Sequence, residues 1–402
     1  MYSLLLAIIY VAFISLGLPD SLVGAGWPVM HRDLGVPVAY AGITTMIIAA
    51  GTIVSSLSSE RLTRRVGVGV VTAVSVALTA AALIGFAWSG SFWALCLWAI
   101  PYGLGAGAVD AALNNYVALH YAAKHMNWLH SFWGVGASIS PFIMSYALTS
   151  GLGWSRAYLI VGVIQVVLTV ALIISVPLWG KVNPTAPRSG TDDVDGVVSQ
   201  EPLHPQGHVP IARALRVRGV KLILVAFFAY CALESTTILW ASTYLVTARE
   251  VVPATAAAFA SLFLLGITAG RFLTGFFADR VGDRTLIRGG FLAVGTGVLL
   301  IAVPVPTDVP ALAGLVVAGL GCAPIYPAII HSTPVNFGRD NSQAIIGIQM
   351  AAAYTGSTLA PPAFGLVSSW VGTWVLPLFL AVLVALGLLM SERLNRLVGH
   401  RG

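Results

Sequence analysis

Residues 270–284 read GRFLTGFFADRVGDR, and residues 51–67, which lie 219 positions earlier, read GTIVSSLSSERLTRRVG. Both stretches carry charges between two apolar runs, which is typical of a short polar turn between hydrophobic helices. An alignment of the two stretches pairs Glu60-Arg61 with Asp279-Arg280 and Arg65 with Arg284. Two further pairs of segments are similar: residues 103–105 resemble 319–321, and residues 136–141 resemble 356–361. Internal repeats of this size predict two halves of the same fold, related by pseudo-symmetry.

The composition places these halves in a membrane. The 402-residue chain is 57% apolar and only 9% charged, whereas soluble domains average about 25% charged residues. Runs of about 18 or more apolar residues recur, and each is long enough to cross a bilayer as an α-helix. An outer-membrane barrel is excluded, because barrel strands alternate apolar and polar residues, whereas segments 67–87 and 372–390 are apolar on all sides.

Hydropathy, interrupted at proline, glycine and charge clusters, predicts an all-α membrane protein. We place its twelve transmembrane helices near residues 3–29, 37–58, 67–88, 91–121, 126–150, 155–179, 220–246, 254–278, 285–304, 308–331, 342–367 and 370–391. One long polar stretch lies between spans 6 and 7. The predicted organisation is therefore an N-terminal six-helix bundle (1–179), a linker (180–219) and a pseudo-symmetric C-terminal six-helix bundle (220–402).

The basic residues predict the orientation. Seventeen of the 21 Lys and Arg residues fall in the even-numbered loops and the C-terminal tail, three fall in odd-numbered loops, and Arg271 falls within span 8. Because basic loops stay on the cytoplasmic side, both termini and the linker are predicted to be cytoplasmic, in a multi-pass protein of the inner (cytoplasmic) membrane. This distribution also explains the net charge of +6 without a nucleic-acid partner.

No motif in the sequence points to an enzyme, a metal or a cofactor. Cys96, Cys231 and Cys322 lie in apolar runs without a CxxC pair, so neither a disulfide framework nor a zinc site is expected. GLGAGA at 103–108 follows no predicted strand, which argues against a dinucleotide site. The chain begins without a basic segment, so a removable signal peptide is not expected.

Three acidic residues, Asp20, Asp110 and Glu234, lie deep in apolar segments. Each costs about 2.5–3.5 kcal/mol at the centre of a membrane helix, so each needs an internal partner or a hydrated cavity. A purely structural role, in which these acids bond neighbouring helices, remains open for each of them.

Helical spacing places further polar residues on single faces. On span 4, Gly103, Gly107, Asp110 and Asn114 follow one another at intervals of 4, 3 and 4 residues, which predicts a stripe lining a polar cavity. Similar stripes carry His130 and Trp133 on span 5 and Asp20 and Trp27 on span 1. In the C-terminal half, the side chains predicted to face the centre are Trp240, Tyr244, Tyr326 and Gln349.

The turn at 275–284 resembles the loop signature of the major facilitator superfamily, in which a glycine, an Asp-Arg pair, a second glycine and a closing arginine lie between two spans. Spans 4 and 5 are similar to those of the fucose–proton symporter group and its sodium-dependent glucose transporter relatives. The segments that carry this likeness are GLGAGAVDAALNNYV (103–117) and MNWLHSFWGVGASISP (126–141), supported by GLPDSLVGAGWP (17–28) and GLGCAPIYP (319–327). The resemblance implies two bundles around a central substrate path.

The resemblance also implies residue roles. In that group an acidic residue on span 1 and another on span 4 support proton coupling and sugar binding, and the matching residues are Asp20 and Asp110. Asn114 matches an asparagine that contacts the substrate, and His130 matches a span 5 glutamine. Asn115 replaces a proline of the group. Carboxylates, amides and aromatic rings of this kind suit a sugar, whose hydroxyls need hydrogen bonds and whose apolar face stacks on rings.

The charged turns have a predicted role of their own. The residues predicted to latch a cytoplasmic gate are Glu60, Arg61, Arg65, Asp279, Arg280 and Arg284. Asp279 would hold cations and a helix N-terminus together while the cavity is open to the outside. Alternatively, the arginines serve only to orient the chain in the membrane.

The sequence therefore predicts a secondary active transporter, specifically a proton-coupled sugar symporter that works by alternating access. Asp20, Asp110 and Glu234 are its predicted proton-coupling residues. Its predicted partners are a small-molecule substrate, H⁺ or alternatively Na⁺, and the lipid bilayer, and we expect a monomer without a cofactor. Two alternatives stay open: a proton-driven exporter of drugs or amphipathic metabolites, and a membrane receptor that senses a sugar.

Overall fold

The computed structural model describes residues 2–37, 40–181, 209–251, 253–305 and 307–398, and this part of the chain is helical, without strands. The α-helices are α1 (Tyr2–Asp20), α2 (Leu22–Asp33), α3 (Ala41–Val66), α4 (Val68–Trp88), α5 (Phe92–His120), α6 (Ala123–Thr149), α7 (Trp154–Lys181), α8 (Ile211–Ala214), α9 (Val220–Arg249), α10 (Pro253–Gly275), α11 (Ala278–Val281), α12 (Asp283–Ala302), α13 (Val309–Cys322), α14 (Ile325–His331), α15 (Thr333–Phe337), α16 (Arg339–Val371) and α17 (Leu376–Val398). A 3₁₀ turn at Thr373–Val375 precedes α17. Residues 182–208 of the predicted linker lie outside the described residues.

These helices form twelve membrane spans in two groups of six, which confirms the predicted fold. Spans 1 and 10 are each built from two consecutive helices, α1–α2 and α13–α14. Over the described ranges, nine spans are long and apolar enough to cross a membrane by composition. The spans that complete the twelve are α6, α10 and α16. Each of these three carries a polar residue to the centre of the protein: His130, Arg271 and Tyr354 respectively.

Bends in spans 1 and 10 position two of the predicted site residues. Pro19 lies at the end of α1, and a proline inside a helix removes a backbone hydrogen bond and bends the chain. Asp20 is therefore at the bend between α1 and α2. In span 10 the helix is interrupted at Pro324, so Tyr326 lies in the first turn of α14.

The glycines that recur at equivalent positions of the two halves lie at equivalent close contacts between helices. A Cβ atom on Gly103 would lie 2.2 Å from the carbonyl oxygen of Ile48, and one on Gly319 would lie 2.4 Å from that of Phe263. Spans 2 and 4 therefore approach as closely as their counterparts, spans 8 and 10. The same type of contact joins spans 1 and 5 at Ile14–Gly136 and spans 7 and 11 at Phe228–Gly356. Small residues that permit close approach are a recurrent device of membrane helix packing.

The charged turns lie together at one end of the bundles, which we call the basic end and define by Arg61, Lys124, Arg280 and Arg339. Hydrogen bonds join the two bundles there: Lys124 N to Asp279 Oδ1 at 3.0 Å, Arg339 Nη2 to Leu119 O at 3.1 Å, and Ser342 Oγ to Asn115 Oδ1 at 2.6 Å. The bundles are therefore closed against each other at the basic end.

Candidate functional site

A cavity of about 350 Å³ lies between the two bundles. Its walls come from α1, α3, α5 and α6 of the N-terminal bundle and from α9, α10, α14 and α16 of the C-terminal bundle. These are spans 1, 2, 4 and 5 and their pseudo-symmetric counterparts, spans 7, 8, 10 and 11. Small-molecule sites typically measure about 300–1,000 Å³, so the cavity has the size and the position of a small-ligand site at a repeat interface.

Asp20 accepts hydrogen bonds from two neutral donors. The hydroxyl of Tyr102 donates to Oδ1 and the indole Nε1 of Trp133 donates to Oδ2, each at 2.9 Å. The bend at Pro19 leaves the Asp20 side chain exposed in the cavity. Among the described residues, no basic side chain forms an ion pair with Asp20.

Asp110 begins a chain of hydrogen bonds within the N-terminal bundle. Its Oδ1 accepts from Asn114 Nδ2 at 2.8 Å, and Asn114 Oδ1 accepts from His130 Nε2 at 3.0 Å. The four-residue spacing on α5 brings Asp110 and Asn114 together. The second carboxylate oxygen, Oδ2, accepts a hydrogen bond of 2.7 Å from the hydroxyl of Tyr354, which belongs to the other bundle.

The C-terminal bundle contributes a charge pair to the cavity wall. Nη2 of Arg271 lies 3.6 Å from Oε1 of Glu234 and 3.4 Å from the hydroxyl of Tyr230. The guanidinium carbon lies 5.8 Å from the centre of the Tyr326 ring, within cation–π range. Tyr326 also meets the ring of His130 edge to face, at 4.6 Å between ring centres. The Tyr326 ring therefore connects the charge pair to the hydrogen-bond chain of the N-terminal bundle.

The cavity brings together about half of the predicted proton-coupling and substrate-binding residues. Those that line it are Asp20, Asp110, His130, Trp133, Glu234 and Tyr326. Asn114 lies directly behind Asp110 and is fully buried. It is connected to the cavity by its hydrogen bonds to Asp110 and His130, which both line it.

Trp240 and Tyr244 lie outside the cavity. They share a face of α9, as their spacing predicts, but that face packs inside the C-terminal bundle. Trp240 Nε1 donates to the carbonyl oxygen of Pro361, and the Tyr244 hydroxyl donates to that of Ile301, each at 3.0 Å. Periodicity predicts which residues share a face and leaves open which neighbour that face meets.

Trp27, Asn115 and Gln349 also lie outside the cavity. Trp27 is in α2, beyond the bend of span 1, and is buried in the N-terminal bundle. Asn115 follows Asn114 on α5, so its side chain points about 100° away from that of Asn114 around the helix axis. It accepts a hydrogen bond from Ser342 at 2.6 Å. Gln349 is fully buried and accepts a hydrogen bond from Thr333 at 3.0 Å.

The span 4 stripe divides between packing and the cavity. A Cβ atom on Gly107 would lie 2.1 Å from the carbonyl oxygen of Thr52, so Gly107 packs directly on α3, as Gly103 does. Asp110 lines the cavity, whereas the two glycines allow the close approach of α3. Of the four residues in the stripe, Asp110 is therefore the one that lines the cavity.

Tyr102, Arg271 and Tyr354 line the cavity but are not among the predicted site residues. Arg271 had a signal in the sequence, because a basic residue within a span is rare and needs a partner. Tyr102 lies eight residues before Asp110, about two turns away on a similar face of α5. Tyr354 had no local signal, because its contact with Asp110 crosses between the bundles.

The predicted gate residues occupy the basic end, and Asp279 joins the two bundles. It accepts a hydrogen bond from the backbone N–H of Lys124, at the N-terminus of α6, where the helix dipole favours a carboxylate. Glu60 is buried, lies 3.7 Å from Arg64 within its own helix, and accepts from the backbone N–H of Val209. The other predicted members, all with exposed side chains, are Arg61, Arg65, Arg280 and Arg284.

Two residues outside the predicted set also join the bundles at the basic end. Arg339 donates to the carbonyl oxygen of Leu119 at 3.1 Å. Nδ1 of His331 lies 2.8 Å from Oδ2 of Asp283, and its Nε2 lies 3.3 Å from the carbonyl oxygen of Tyr121. The contact surface at this end is therefore wider than the two charged turns.

Comparison with known sequences agrees with this architecture. The family model of the Major Facilitator Superfamily matches residues 9–252 and 222–396. The chain is 23% identical to bypass of stop codon protein 6 of Saccharomyces cerevisiae over 399 residues, which cover 94% of this chain and 79% of that protein. It is 22% identical to an uncharacterized MFS-type transporter of Yersinia pestis, over 67% of this chain and 64% of that protein.

Solved structures share the fold. The TM-score is 0.75 with the E. coli fucose:proton symporter FucP in the outward conformation, at 17% identity over 97% of this chain and 98% of that one. The TM-score is 0.77 with the proton:xylose symporter XylE bound to 6-bromo-6-deoxy-D-glucose, at 11% identity over 98% of this chain and 95% of that one. Together with the family match, the fold and the interface cavity identify this chain as a member of the Major Facilitator Superfamily, a multi-pass membrane transporter of small molecules.

Proposed function

We propose that this chain is a proton-coupled sugar symporter that works by alternating access. The observation that carries the proposal is the pair of cavity carboxyls, Asp20 and Asp110, each held by neutral donors without a basic partner among the described residues. The charge of such a carboxyl is costly within a membrane protein, and a proton removes it. A change in water access then changes proton binding, which links H⁺ movement to the movement of the bundles.

The chemistry of the cavity supports a hydroxylated substrate. Asp20, Asp110 and Glu234 offer hydrogen-bond acceptors, and Trp133 and Tyr326 offer aromatic faces. A sugar has hydroxyls that suit the first group and an apolar C–H face that suits the second. The fucose:proton and proton:xylose symporters have the same fold, and this likeness supports the sugar class.

The closed basic end supports an outward-facing state. If the basic loops lie in the cytoplasm, the contacts of Asp279 and Arg339 seal the cavity from that side. Rocking of the bundles 1–179 and 220–402 about the cavity would break these contacts and open the site inward, with the linker 180–219 joining the moving units. In this scheme the protein acts as a monomer in the cytoplasmic membrane with both termini inside, and Asp279, Glu60 and the neighbouring arginines form the latch.

A proton-driven exporter of amphipathic compounds is the second candidate. The apolar side chains of the cavity wall favour an exporter. They include Phe13, Leu16, Ile48 and Ile238. The carboxyls of Asp20, Asp110 and Glu234 in the same wall favour the symporter, because an apolar substrate would leave their hydrogen-bonding capacity unused.

Proton movement in proteoliposomes tests the proposal and separates the two candidates. Addition of a symported sugar to lightly buffered vesicles should make the external medium more alkaline, and the response should be the same with and without sodium. The panel should contain neutral hexoses, hexose acids and amphipathic drugs. A response to drugs alone, in which drug added outside exchanges for internal protons and acidifies the medium, would favour the exporter. A response that requires sodium would contradict proton coupling.

A further inference from the structure

Arg271 is a poorly satisfied charged group in the cavity wall. Its side chain is 4% exposed, and among the described residues its partners contact Nη2, with Glu234 at 3.6 Å and the Tyr230 hydroxyl at 3.4 Å. Nε is buried and has no hydrogen-bond partner within the described part of the chain. A guanidinium group has five N–H donors arranged in a planar fork. Most of this fork is therefore without an acceptor.

Arg288 shows how a fully paired arginine is arranged in the same protein. Its Nε and Nη2 donate to the two carboxylate oxygens of Glu392 at 2.7 and 2.6 Å, which is bidentate geometry. The distance from Arg271 to Glu234, 3.6 Å, exceeds a normal hydrogen bond. The cavity pair is loose and one-sided, so Arg271 keeps unused donors in the wall of the cavity.

Tyr326 connects this open fork to the hydroxyl-binding side of the cavity. Its ring lies 5.8 Å from the guanidinium carbon of Arg271 and 4.6 Å from the ring of His130. His130 is hydrogen-bonded to Asn114, which is bonded to Asp110. A ligand stacked on Tyr326 therefore has a cation at one end and the acceptors of the Asp110 chain at the other.

We propose that Arg271 binds a carboxylate of the substrate, so that the transported sugar is a sugar acid, a polyhydroxy carboxylate. This inference rests on the proposed sugar-symport function and narrows its substrate class. Arginine suits the task because its fork matches the two oxygens of a carboxylate. The ring and hydroxyls of the same molecule would meet Tyr326 and the Asp110 chain.

Charge balance links the substrate carboxylate to the coupling proton. The cavity wall already holds three carboxyls, on Asp20, Asp110 and Glu234, and one guanidinium, so a further anion is repelled unless one carboxyl is neutralised. When Asp110 binds the coupling proton, the wall loses one negative charge, and the substrate carboxylate can bind Arg271 beside the loosely held Glu234. One H⁺ and one substrate anion then move together, and the transport step carries no net charge.

Glucuronate and glucose form a matched pair of probes, because they differ in the carboxylate that replaces the hydroxymethyl group. In proteoliposomes containing the full chain, labelled glucuronate should exchange at least about tenfold more efficiently than labelled glucose. A pH gradient should drive glucuronate accumulation, and a potassium diffusion potential should leave it unchanged.

Variants at Arg271 test the assignment directly. Arg271→Gln should lower the efficiency of glucuronate exchange about 100-fold and change that of glucose less than about threefold, because a charge-assisted bidentate contact is lost only for the acid. Arg271→Lys should recover part of the glucuronate exchange. Arg288→Gln is the matched control, since it removes an arginine that pairs with Glu392 outside the cavity, and it should behave as wild type.

The possible contrary results are separable. Exchange of glucose that equals or exceeds that of glucuronate would overturn the sugar-acid inference and leave the proposed symport intact. A potential-driven accumulation of glucuronate would overturn the paired entry of proton and anion. A third outcome is that the wild-type protein exchanges neither sugar, although a cooperative thermal transition shows that it is folded. This outcome would overturn the inference and the proposed function together. The wild-type preference is decisive even if Arg271→Gln fails to fold.

Discussion

Tyr354 of the C-terminal bundle donates a hydrogen bond to Asp110 of the N-terminal bundle, with 2.7 Å between the hydroxyl oxygen and Oδ2. Asn114 occupies the other oxygen of the same carboxyl at 2.8 Å. Both oxygens of Asp110 are therefore engaged by the protein. A substrate hydroxyl can reach Oδ2 after Tyr354 moves away, and the same bond must break when the bundles separate.

Replacement of Tyr354 by phenylalanine should therefore tighten substrate binding. The ring remains, and the hydroxyl that competes for Asp110 is removed. A typical net hydrogen bond contributes about 0.5–1.5 kcal/mol, so we expect the KM for exchange of the transported sugar to fall about two- to tenfold. Tyr146→Phe removes a hydroxyl from an exposed tyrosine of α6 and should leave KM unchanged. A higher KM in Tyr354→Phe would show that the tyrosine binds the substrate.

Replacement of Asp279 by asparagine should loosen the basic end. The carboxylate of Asp279 accepts from the first turn of α6 across the bundle interface, where a negative charge at a helix N-terminus contributes about 0.3–1 kcal/mol. We expect the ratio of inward-open to outward-open molecules to rise about two- to fivefold.

Pulsed spin-label distances can measure this ratio, with labels on cysteines introduced at Leu62 and Val335. Both residues are exposed and lie at the basic end on opposite bundles, and the three native cysteines are buried. Asp340→Asn removes a charge at the same end and is the matched control. Identical distance distributions in Asp279→Asn and in the control would exclude Asp279 as a latch.

Replacement of Gly107 by alanine should destabilise the N-terminal bundle. The added Cβ would lie 2.1 Å from the carbonyl oxygen of Thr52, and overpacking of this kind typically costs about 1–3 kcal/mol. The thermal unfolding midpoint of the purified protein should fall. Gly24→Ala is the control, because a Cβ there meets no atom of the described residues within 4 Å. Equal midpoints for the two variants would contradict the close packing of α3 on α5.

The fold was predictable because membrane insertion leaves strong and redundant signals in a sequence. Apolar runs mark the spans, the charged turns at 51–67 and 270–284 mark the repeat, and the paired glycines at 103 and 319 mark equivalent helix contacts. The bends in spans 1 and 10 needed the structure, since hydropathy is continuous across them.

The site was predictable where two partners lie on one helix. Asp110 and Asn114 are four residues apart and meet as helical spacing predicts. Asp110 and Tyr354 are separated by 244 positions, and their contact depends on how the two bundles are rotated against each other. The rotation of α9 about its own axis within the C-terminal bundle likewise decides that Trp240 faces α16 rather than the cavity, and no local sequence pattern predicts it.

The most direct test of proton coupling is sugar accumulation by Asp110→Asn in proteoliposomes under an imposed pH gradient, measured beside counterflow of the same sugar without a gradient. Asparagine keeps the size and a hydrogen-bonding oxygen of the side chain but cannot exchange a proton. We predict that accumulation against a gradient is lost while counterflow remains within about tenfold of wild type. Full accumulation by Asp110→Asn would contradict the coupling role of Asp110.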